Sequence, residues 1–217
     1  MSKYLEEQDE QTFSEPILAQ KNVRCGISFA AHTQWKVQAK KDWTPEQAAQ
    51  MQSYIGQKFD ALILTLMISD DTVKTERADA KPKLTIEDQL NLEGFPYPER
   101  NTGQVKKMSR QKLFQLEGIF GFEPIFKVDG EIVPAYVTKT GNKVAPKVEG
   151  KVVQRILNPD FFNAYFLVDA NSFGEEQAMP RVEEWVGKTI YADIEVQRSE
   201  KFGDRNAIAR YVKAPAK

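Results

Sequence analysis

Histidine and cysteine are almost missing from this chain, since His32 and Cys25 are the only residues of their types among 217. A single cysteine excludes an intramolecular disulfide, and the lack of a signal-peptide pattern at the N-terminus predicts a reducing, cytoplasmic location. A Ser-His-Asp or Cys-His site would need Cys25 or a serine to meet His32 in space, so we expect His32 to be a core or loop residue. Two Cys or His side chains are also too few for structural zinc, which normally takes four.

Phosphate-binding loops and long apolar runs are also lacking. Gly187-Lys188-Thr189 matches only the end of a GxxxxGK[ST] loop, because Val182 stands where the upstream glycine belongs. The longest apolar run, Ala61 to Ile68, is interrupted by Thr65 and is far shorter than the roughly 20 residues that a membrane span needs. We therefore expect no membrane span, no cofactor and no enzyme built on histidine, cysteine or zinc.

Neither sign of charge is in excess, because 30 basic residues face 31 acidic ones. The net charge of −1 argues against a uniformly basic binder, whereas a hydrophobic content of 41% suffices for a packed core. The acidic residues are concentrated in Met1 to Gln20, where five of them accompany Lys3 alone. This segment is predicted to be a mobile acidic arm, and residues 21–217 a single domain.

The pattern of elements predicts an α+β fold that is mainly β. Thr44-Pro45-Glu46-Gln47 has the pattern of a capping box with proline at the first helical position, so a helix should follow to about Gly56. A second helix is predicted from Ser109. Residues 72–103 are polar and rich in turn residues, which predicts a long inserted loop with a short helical turn after Thr85. The predicted strands are 23–30, 34–39, 59–68, 124–128, 132–138, 147–157, 161–168, 189–198 and 207–212, with an Asp129-Gly130 hairpin turn.

Positive charge is concentrated in four segments, 21–43, 106–112, 139–155 and 198–217, each with an excess of four. Single-strand binding needs cations that follow the phosphates and flat side chains on which bases stack, each stacked base contributing about 1–3 kcal/mol. Folding can merge separate cationic segments into one groove. The predicted phosphate contacts are Lys139, Lys143, Lys147, Lys151, Arg198, Lys201, Arg205 and Arg210. The predicted stacking residues are Trp35, Tyr136 and Phe202.

The last third of the chain carries a family resemblance. Trp185-Val186-Gly187-Lys188-Thr189 is followed by a strand to Val196, the turn Phe202-Gly203-Asp204-Arg205-Asn206, and Ile208-Ala209-Arg210-Tyr211. This order resembles the last strands of OB-fold single-stranded-DNA-binding proteins of phages and mobile elements. The resemblance implies an OB-like antiparallel barrel, here with two helices, that binds single-stranded DNA in replication or recombination and is not an enzyme.

The chain departs from that family in two respects. Its acidic segment is N-terminal, whereas many members end in an acidic tail that recruits partners, so two roles of the arm stay open: recruitment of a protein partner and mimicry of a nucleic-acid strand. Its first 120 residues exceed a minimal five-stranded barrel. Binding of RNA and formation of a homodimer stay open.

Two other functions compete with this one. The chain could be a protein-interaction module that uses a sheet edge or the long loop, without binding nucleic acid. It could also be a Mg²⁺-dependent nuclease in which Asp193, Glu195 and Asp169 converge, with Glu131 nearby.

Overall fold

Strands, nearly all of them antiparallel, account for most of the regular secondary structure, which confirms the mainly β prediction. The computed structural model describes residues 14–92, 94–161, 166–170, 176–180, 184–200 and 203–215, with only the backbone for 166–170 and 176–180. The helices are α1 Pro45–Met51 and α2 Gln111–Ile119, with a 3-10 turn at Gln52–Tyr54. The strands are β1 Ser14–Glu15, β2 Gln20–Lys36, β3 Lys58–Ile68, β4 Lys81–Pro82, β5 Thr85–Asn91, β6 Pro96–Pro98, β7 Val105–Lys107, β8 Ile125–Val128, β9 Glu131–Pro134, β10 Tyr136–Val137, β11 Lys143–Val144, β12 Val153–Ile156, β13 Phe166–Ala170, β14 Glu176–Pro180, β15 Thr189–Gln197 and β16 Arg205–Val212.

The largest sheet has five strands in the order β16-β15-β2-β3-β5. Strand β2 pairs with β15 over residues 20–26 and with β3 over residues 25–36, so Cys25 and Gly26 pair on both sides. A register shift between Ile27 and Phe29 marks an irregularity in the ladder with β3. Such bulges bend a strand and increase its twist. Alternate side chains point into the core, where Leu62, Leu64 and Leu66 on β3 are at most 1% exposed. The predicted strand 59–68 is thus confirmed, with its core-facing residues spaced by two.

The two outer strands of this sheet, β5 and β16, approach each other on one side of the core. The Tyr211 hydroxyl on β16 donates to Asp88 Oδ2 on β5 across 2.8 Å. Helix α2 packs over this junction, where Lys112 Nζ lies 2.7 Å from Asp88 Oδ1 and the Tyr211 N–H donates to Gln115 Oε1 at 2.9 Å. In the described part of the chain no ladder joins β5 to β16. Side chains and α2 therefore close the seam between the two edges.

A smaller sheet, in the order β12-β8-β9, is attached to the C-terminal half of α2. The predicted hairpin turn is confirmed, since Asp129 and Gly130 both have positive φ, at 50° and 92°. Glu117 of α2 is fully buried, where it forms an ion pair with Arg155 of β12 and accepts the backbone N–H of Asn158 at 3.1 Å. Because an unpaired buried carboxylate would be very costly, these contacts hold the smaller sheet against the helix.

Several strand predictions need correction. Residues 85–91 are a strand of the main sheet rather than a helical turn in a loop, and Asp88, which faces inward, hides the alternation of Ile86 and Leu90. The predicted strands 23–30 and 34–39 are one strand, β2, which ends at Lys36. Of the predicted strand 147–157 only Val153–Ile156 is extended and paired, and Val152 is 84% exposed. Of 161–168, Phe161 is helical and fully buried, and the strand begins at Phe166.

The helix predictions are more accurate at the starts of the helices than at their ends. Thr44 accepts the Gln47 N–H and Gln47 Oε1 accepts the Thr44 N–H, so the capping box of α1 is confirmed. The helix ends at Met51 and gives way to the 3-10 turn. Helix α2 begins two residues after Ser109 and buries Leu113 and Leu116. No helix in the described ranges is long and apolar enough to cross a membrane.

The predicted acidic arm is tied to the domain in its last seven residues. Ile17 is fully buried, and its backbone N–H and C=O both bond to the Asn206 side chain of β16 at 2.8 Å. The Lys83 N–H donates to Glu15 O at 2.7 Å. Residues 14–20 thus bridge the starts of β5 and β16, whereas residues 1–13 lie outside the described part of the chain.

Candidate nucleic-acid interface

The outer face of β2 and β3 carries a row of apolar and aromatic side chains. Phe29 is paired with Thr65, and Trp35 with Phe59, in the antiparallel register. Because side chains alternate along a strand, these residues share the face opposite Leu62 and Leu64. Phe29 is 50% exposed and Met67, further along β3, is 46% exposed. Large side chains in such positions do not contribute to the core, so they are available to a ligand.

Trp35 and Phe59 form an aromatic cluster with Phe95 at one end of this face. The Phe95 ring meets each of the other two nearly edge-on, with both pairs of centroids 5.6 Å apart. Asn91 at the end of β5 fixes the backbone of Phe95, because its Oδ1 accepts the N–H groups of Gly94 and Phe95 at 2.8 and 3.1 Å. The cluster is therefore assembled by three strands and a backbone turn rather than by one segment.

An open cavity of about 600 Å³ lies over this cluster. Amide side chains surround the aromatic floor, and the lining residues are Gln34, Trp35, Lys36, Gln38, Gln89, Phe95 and Met108. Glutamine amides can both donate and accept hydrogen bonds, which suits the edges of nucleobases. Aromatic rings next to amides can contact a flat polar ring, although the Gln34 amide also donates to Asp60 Oδ1 at 3.0 Å.

Two lysines face each other at this end of the sheet. Lys36 lies directly opposite Lys58 in the ladder between β2 and β3, and both side chains are exposed. Neither lysine forms a salt bridge with a residue that the structure describes. Because side chains alternate along a strand, both lysines leave the sheet on the face that also carries Asp60, opposite to Trp35 and Phe59. Like charges directly opposite each other destabilise a sheet. Lys40 and Lys41 follow in the exposed loop that leads to α1.

Of the residues predicted to bind nucleic acid, only Trp35 lies at this cluster. Tyr136, Lys139 and Lys143 lie on the β10–β11 hairpin, where Tyr136 is 59% exposed. Lys143 forms an ion pair with Glu123, and Lys151 Nζ lies 2.8 Å from Asp129 Oδ2. Lys147, in the loop that follows β11, is exposed.

The remaining predicted cations lie on the β15–β16 hairpin. Arg205 donates to Gln197 Oε1 and lines a groove of about 540 Å³ along the seam with Lys83 and Lys112. Arg198, which is 78% exposed at its side chain, is 4.0 Å from Asp204. Arg210 Nε donates to Asp193 Oδ2 at 2.6 Å. Lys201 and Phe202 lie outside the described residues. The predicted residues thus occupy three separate elements.

The carboxylates considered for a nuclease are engaged elsewhere or not described. Asp193 is 7% exposed and accepts the Asn22 N–H at 2.9 Å in addition to the Arg210 guanidinium. Burial alone would raise the pKa of Asp193, but these hydrogen bonds and the charge of Arg210 outweigh it and lower that pKa. The side chain of Asp169 lies outside the described residues. Within the described ranges no three His, Cys, Asp or Glu side chains are grouped so as to hold a metal ion.

The single histidine and cysteine have structural surroundings. His32 Nε2 lies 2.9 Å from Asp60 Oδ1 at the half-buried end of β2. Cys25 is fully buried, and burial followed by the charge of Asp70 raises the pKa of its thiol to about 12. A thiol with that pKa stays protonated at neutral pH and is a poor nucleophile.

Sequence reasoning missed Phe29, Phe59 and Phe95 as members of this surface. Phe59 belongs to a run that is typical of a buried strand, and Phe95 stands in the proline-rich stretch that is typical of a loop. Only the cross-strand register brings them to Trp35, and no local pattern encodes that register. Lys36 does lie in the first of the four basic segments, which is the signal that could have found it.

Comparison of the chain with protein-family models, with curated proteins and with solved structures gives no significant match.

Proposed function

We propose that this chain binds single-stranded nucleic acid, DNA in the first instance, through the outer face of β2 and β3, and performs no chemistry. The observation that carries the proposal is the partly exposed aromatic cluster of Trp35, Phe59 and Phe95, with Lys36 in the lining of the adjoining cavity. Stacking surfaces next to cations that can follow phosphates are the combination that single-strand binders use.

The architecture supports an OB-like barrel as the scaffold. Three strands, β2, β3 and β5, lie side by side in chain order; helix α2 follows, and β15 and β16 then return to the other edge of β2. The approach of β5 to β16 through Tyr211 and Asp88 curls the sheet toward closure. OB folds are five-stranded, partly open barrels that bind oligonucleotides on the face of their second and third strands and in adjacent loops. In this sheet the second and third strands in chain order are β3 and β5. Phe59 of the aromatic cluster lies on β3, Asn91 at the end of β5 fixes the backbone of Phe95, and the loop between β2 and β3 carries α1.

The arrangement explains how binding would tolerate any sequence. Trp35 and Phe29 are six residues apart on β2, roughly 20 Å at the usual rise per residue, so a short run of bases could stack along the strand. Every base has a flat face, so stacking does not select among them, and the lysines would contact only the phosphates. A duplex has its bases already stacked on one another, so the single strand should be preferred. Shielding of replication or recombination intermediates is the role that fits such binding.

The test is the binding of a labelled single strand of about 30 nucleotides, followed by fluorescence polarisation from low to moderate salt. The proposal expects the single strand to bind more tightly than the matching duplex. It also expects a steep fall in affinity with salt, because each neutralised phosphate of a single strand contributes about −0.7 to the slope of log K against log salt. The oligonucleotide should remain intact in the presence of Mg²⁺.

Matched variants make the test specific to the surface. Trp35→Ala should weaken binding of the single strand roughly 5-fold to 100-fold, as the removal of one stacking platform predicts. Trp185→Phe is the control: it is a milder substitution within the buried core, and it shows how much a disturbance away from the binding surface weakens binding. If the single strand fails to bind at low salt, or if Trp35→Ala binds as well as the unaltered chain, the proposal is wrong. Cleavage of the strand that disappears in Asp193→Asn would favour the nuclease instead.

A further inference from the structure

The β10–β11 hairpin is exposed on both of its faces. All four of its paired residues are exposed, and three of them are large and apolar, with Tyr136 at 59%, Val137 at 54% and Val144 at 42%. A two-stranded hairpin is at best marginally stable in water by itself, so an uncovered one of this composition would gain stability from a partner. The hairpin follows directly after the edge strand β9, from which only Ala135 separates it.

The turn of this hairpin is internally braced. The Thr138 N–H donates to Asn142 O at 2.8 Å, and the Gly141 N–H donates to Thr138 O at 2.9 Å. The Asn142 N–H also donates to the Thr138 hydroxyl oxygen at 3.0 Å, and its side-chain amide donates to the Thr140 hydroxyl at 3.2 Å. The hairpin is therefore a shaped ribbon before any partner arrives, which lowers the entropic cost of binding.

The charge of the ribbon identifies its partner as a polyanion. Residues 136–147 contain three lysines and no acidic residue. Lys143 is held by Glu123, whereas Lys139 and Lys147 form no salt bridge with any residue in the described ranges. Only one of its side chains, Tyr136, is flat, so the ribbon is poorly equipped to stack successive bases. Its width and its lysines instead suit the groove and backbones of a duplex, since a two-stranded ribbon fits the major groove of B-form DNA.

We infer that the β10–β11 ribbon binds duplex, and that the preferred substrate is therefore a junction at which a single strand leaves a duplex. This inference rests on the proposed function, because the single-stranded arm of the junction occupies the outer face of β2 and β3. The two surfaces differ in chemistry: one offers aromatic rings to unpaired bases, and the other offers lysines and β-branched side chains to a paired stem. Linking two weak sites on one chain raises the affinity for a substrate that engages both.

The experiment compares three labelled substrates by fluorescence polarisation: a single strand of about 20 nucleotides, a blunt duplex, and the duplex carrying that same strand as a tail. The unaltered chain should bind the tailed duplex at least about tenfold more tightly than the single strand, as tethering of two sites predicts. The double variant Lys139→Ala/Lys147→Ala should bind the two substrates equally, and its affinity for the single strand should stay within about twofold of that of the unaltered chain. For the tailed duplex, the slope of log K against log salt should become shallower by about 0.9 for each phosphate that the double variant no longer neutralises.

Lys74→Ala/Lys213→Ala is the matched control, because it removes two exposed lysines elsewhere and changes the net charge equally. Equal affinity for the tailed duplex and the single strand, or an equal effect of the two double variants, would overturn the inference and leave the proposed function intact. Failure of the single strand to bind would overturn the proposed function, and binding of the blunt duplex as tightly as the tailed one would overturn the junction preference.

Discussion

At the residue scale, Lys36 and Lys58 combine a cost in stability with a gain in binding. Replacing both with Gln should raise the free energy of unfolding by about 0.2–1 kcal/mol, because two like charges no longer face each other across the ladder. The same variant should bind single-stranded DNA more weakly, with the slope of log K against log salt reduced by about 0.7 for each phosphate that is no longer neutralised. Urea denaturation measures the first effect and polarisation measures the second.

The control for this prediction is Lys74→Gln/Lys213→Gln, which lowers the net charge by the same amount away from the aromatic cluster. It should change neither the free energy of unfolding nor the single-strand affinity to a comparable extent. If the Lys36→Gln/Lys58→Gln variant is less stable than the unaltered chain, the two ammonium groups are not in conflict and the argument from their register is wrong.

Asp193 gives a second prediction at this scale, concerning pH. Its pKa is lowered below the ordinary value of 3.8, so folding favours the ionised form. The resulting stabilisation is fully present above the pKa of the unfolded chain and is lost as the pH falls through the lower pKa of the folded chain. The urea midpoint of the unaltered chain should therefore drop more between about pH 5 and pH 2 than that of Asp193→Asn, whose amide oxygen can still accept the Asn22 N–H. If the urea midpoints of the two proteins fall by the same amount between these pH values, this account is contradicted.

Individual residues could be identified from the sequence only where a local pattern marked them. Trp35 stands out as an aromatic residue within a basic segment. Phe95 does not, because its position depends on Asn91 fixing a turn and on β2 and β3 pairing in one register out of many. The proposed binding surface was therefore only partly predictable.

At the scale of elements, α2 holds the smaller sheet to the rest of the molecule through one buried ion pair. Arg155→Met should lower the free energy of unfolding by about 3–5 kcal/mol, because it leaves the buried Glu117 carboxyl group without its cationic partner. Methionine retains much of the contact that the Arg155 side chain makes with the Phe114 and Phe126 rings. Chemical denaturation followed by circular dichroism measures the decrease.

The second variant that completes this test is Glu117→Gln/Arg155→Met. It removes both charges and keeps an acceptor for the Asn158 N–H, so most of the stability should return. If the double variant is as unstable as Arg155→Met alone, the destabilisation comes from packing of the arginine stem rather than from the buried charge.

Elements were predictable from the sequence where their signals are local. The Thr44 capping box and the Asp129-Gly130 turn each lie within four residues, and both are confirmed. Strand β5 was missed because its buried face contains Asp88, whose burial is compensated by Tyr211 and Lys112 from distant parts of the chain. A polar residue that is buried only by virtue of tertiary partners gives the pattern of an exposed loop.

At the scale of the whole molecule, the order of strands in the main sheet depends on contacts between residues more than a hundred positions apart. Ile17 bonds to Asn206, and Asp88 bonds to Tyr211, so both ends of the seam between β5 and β16 are closed by such contacts. Periodicity predicts that strands exist but not which edges meet, so the mainly β class was accessible from the sequence and the strand order was not.

The seam itself yields the last prediction. Burial, and then the negative charge of Asp88, raises the pKa of Tyr211 well above its usual value, so its hydroxyl keeps the proton that it donates to Asp88. Tyr211→Phe removes this bond but keeps the ring in the core, and Asp88 keeps its contact with Lys112. We expect a decrease of about 1–3 kcal/mol in the free energy of unfolding. Amide hydrogen exchange should accelerate in β5 and β16 but not in the β2–β3 ladder, because only the seam opens locally.

The control is Tyr54→Phe, which deletes a hydroxyl from the 3-10 turn and should leave the exchange of all four strands unchanged. Uniform acceleration across the sheet in Tyr211→Phe would mean that the two edges do not open on their own, and that the five strands unfold as a single cooperative unit.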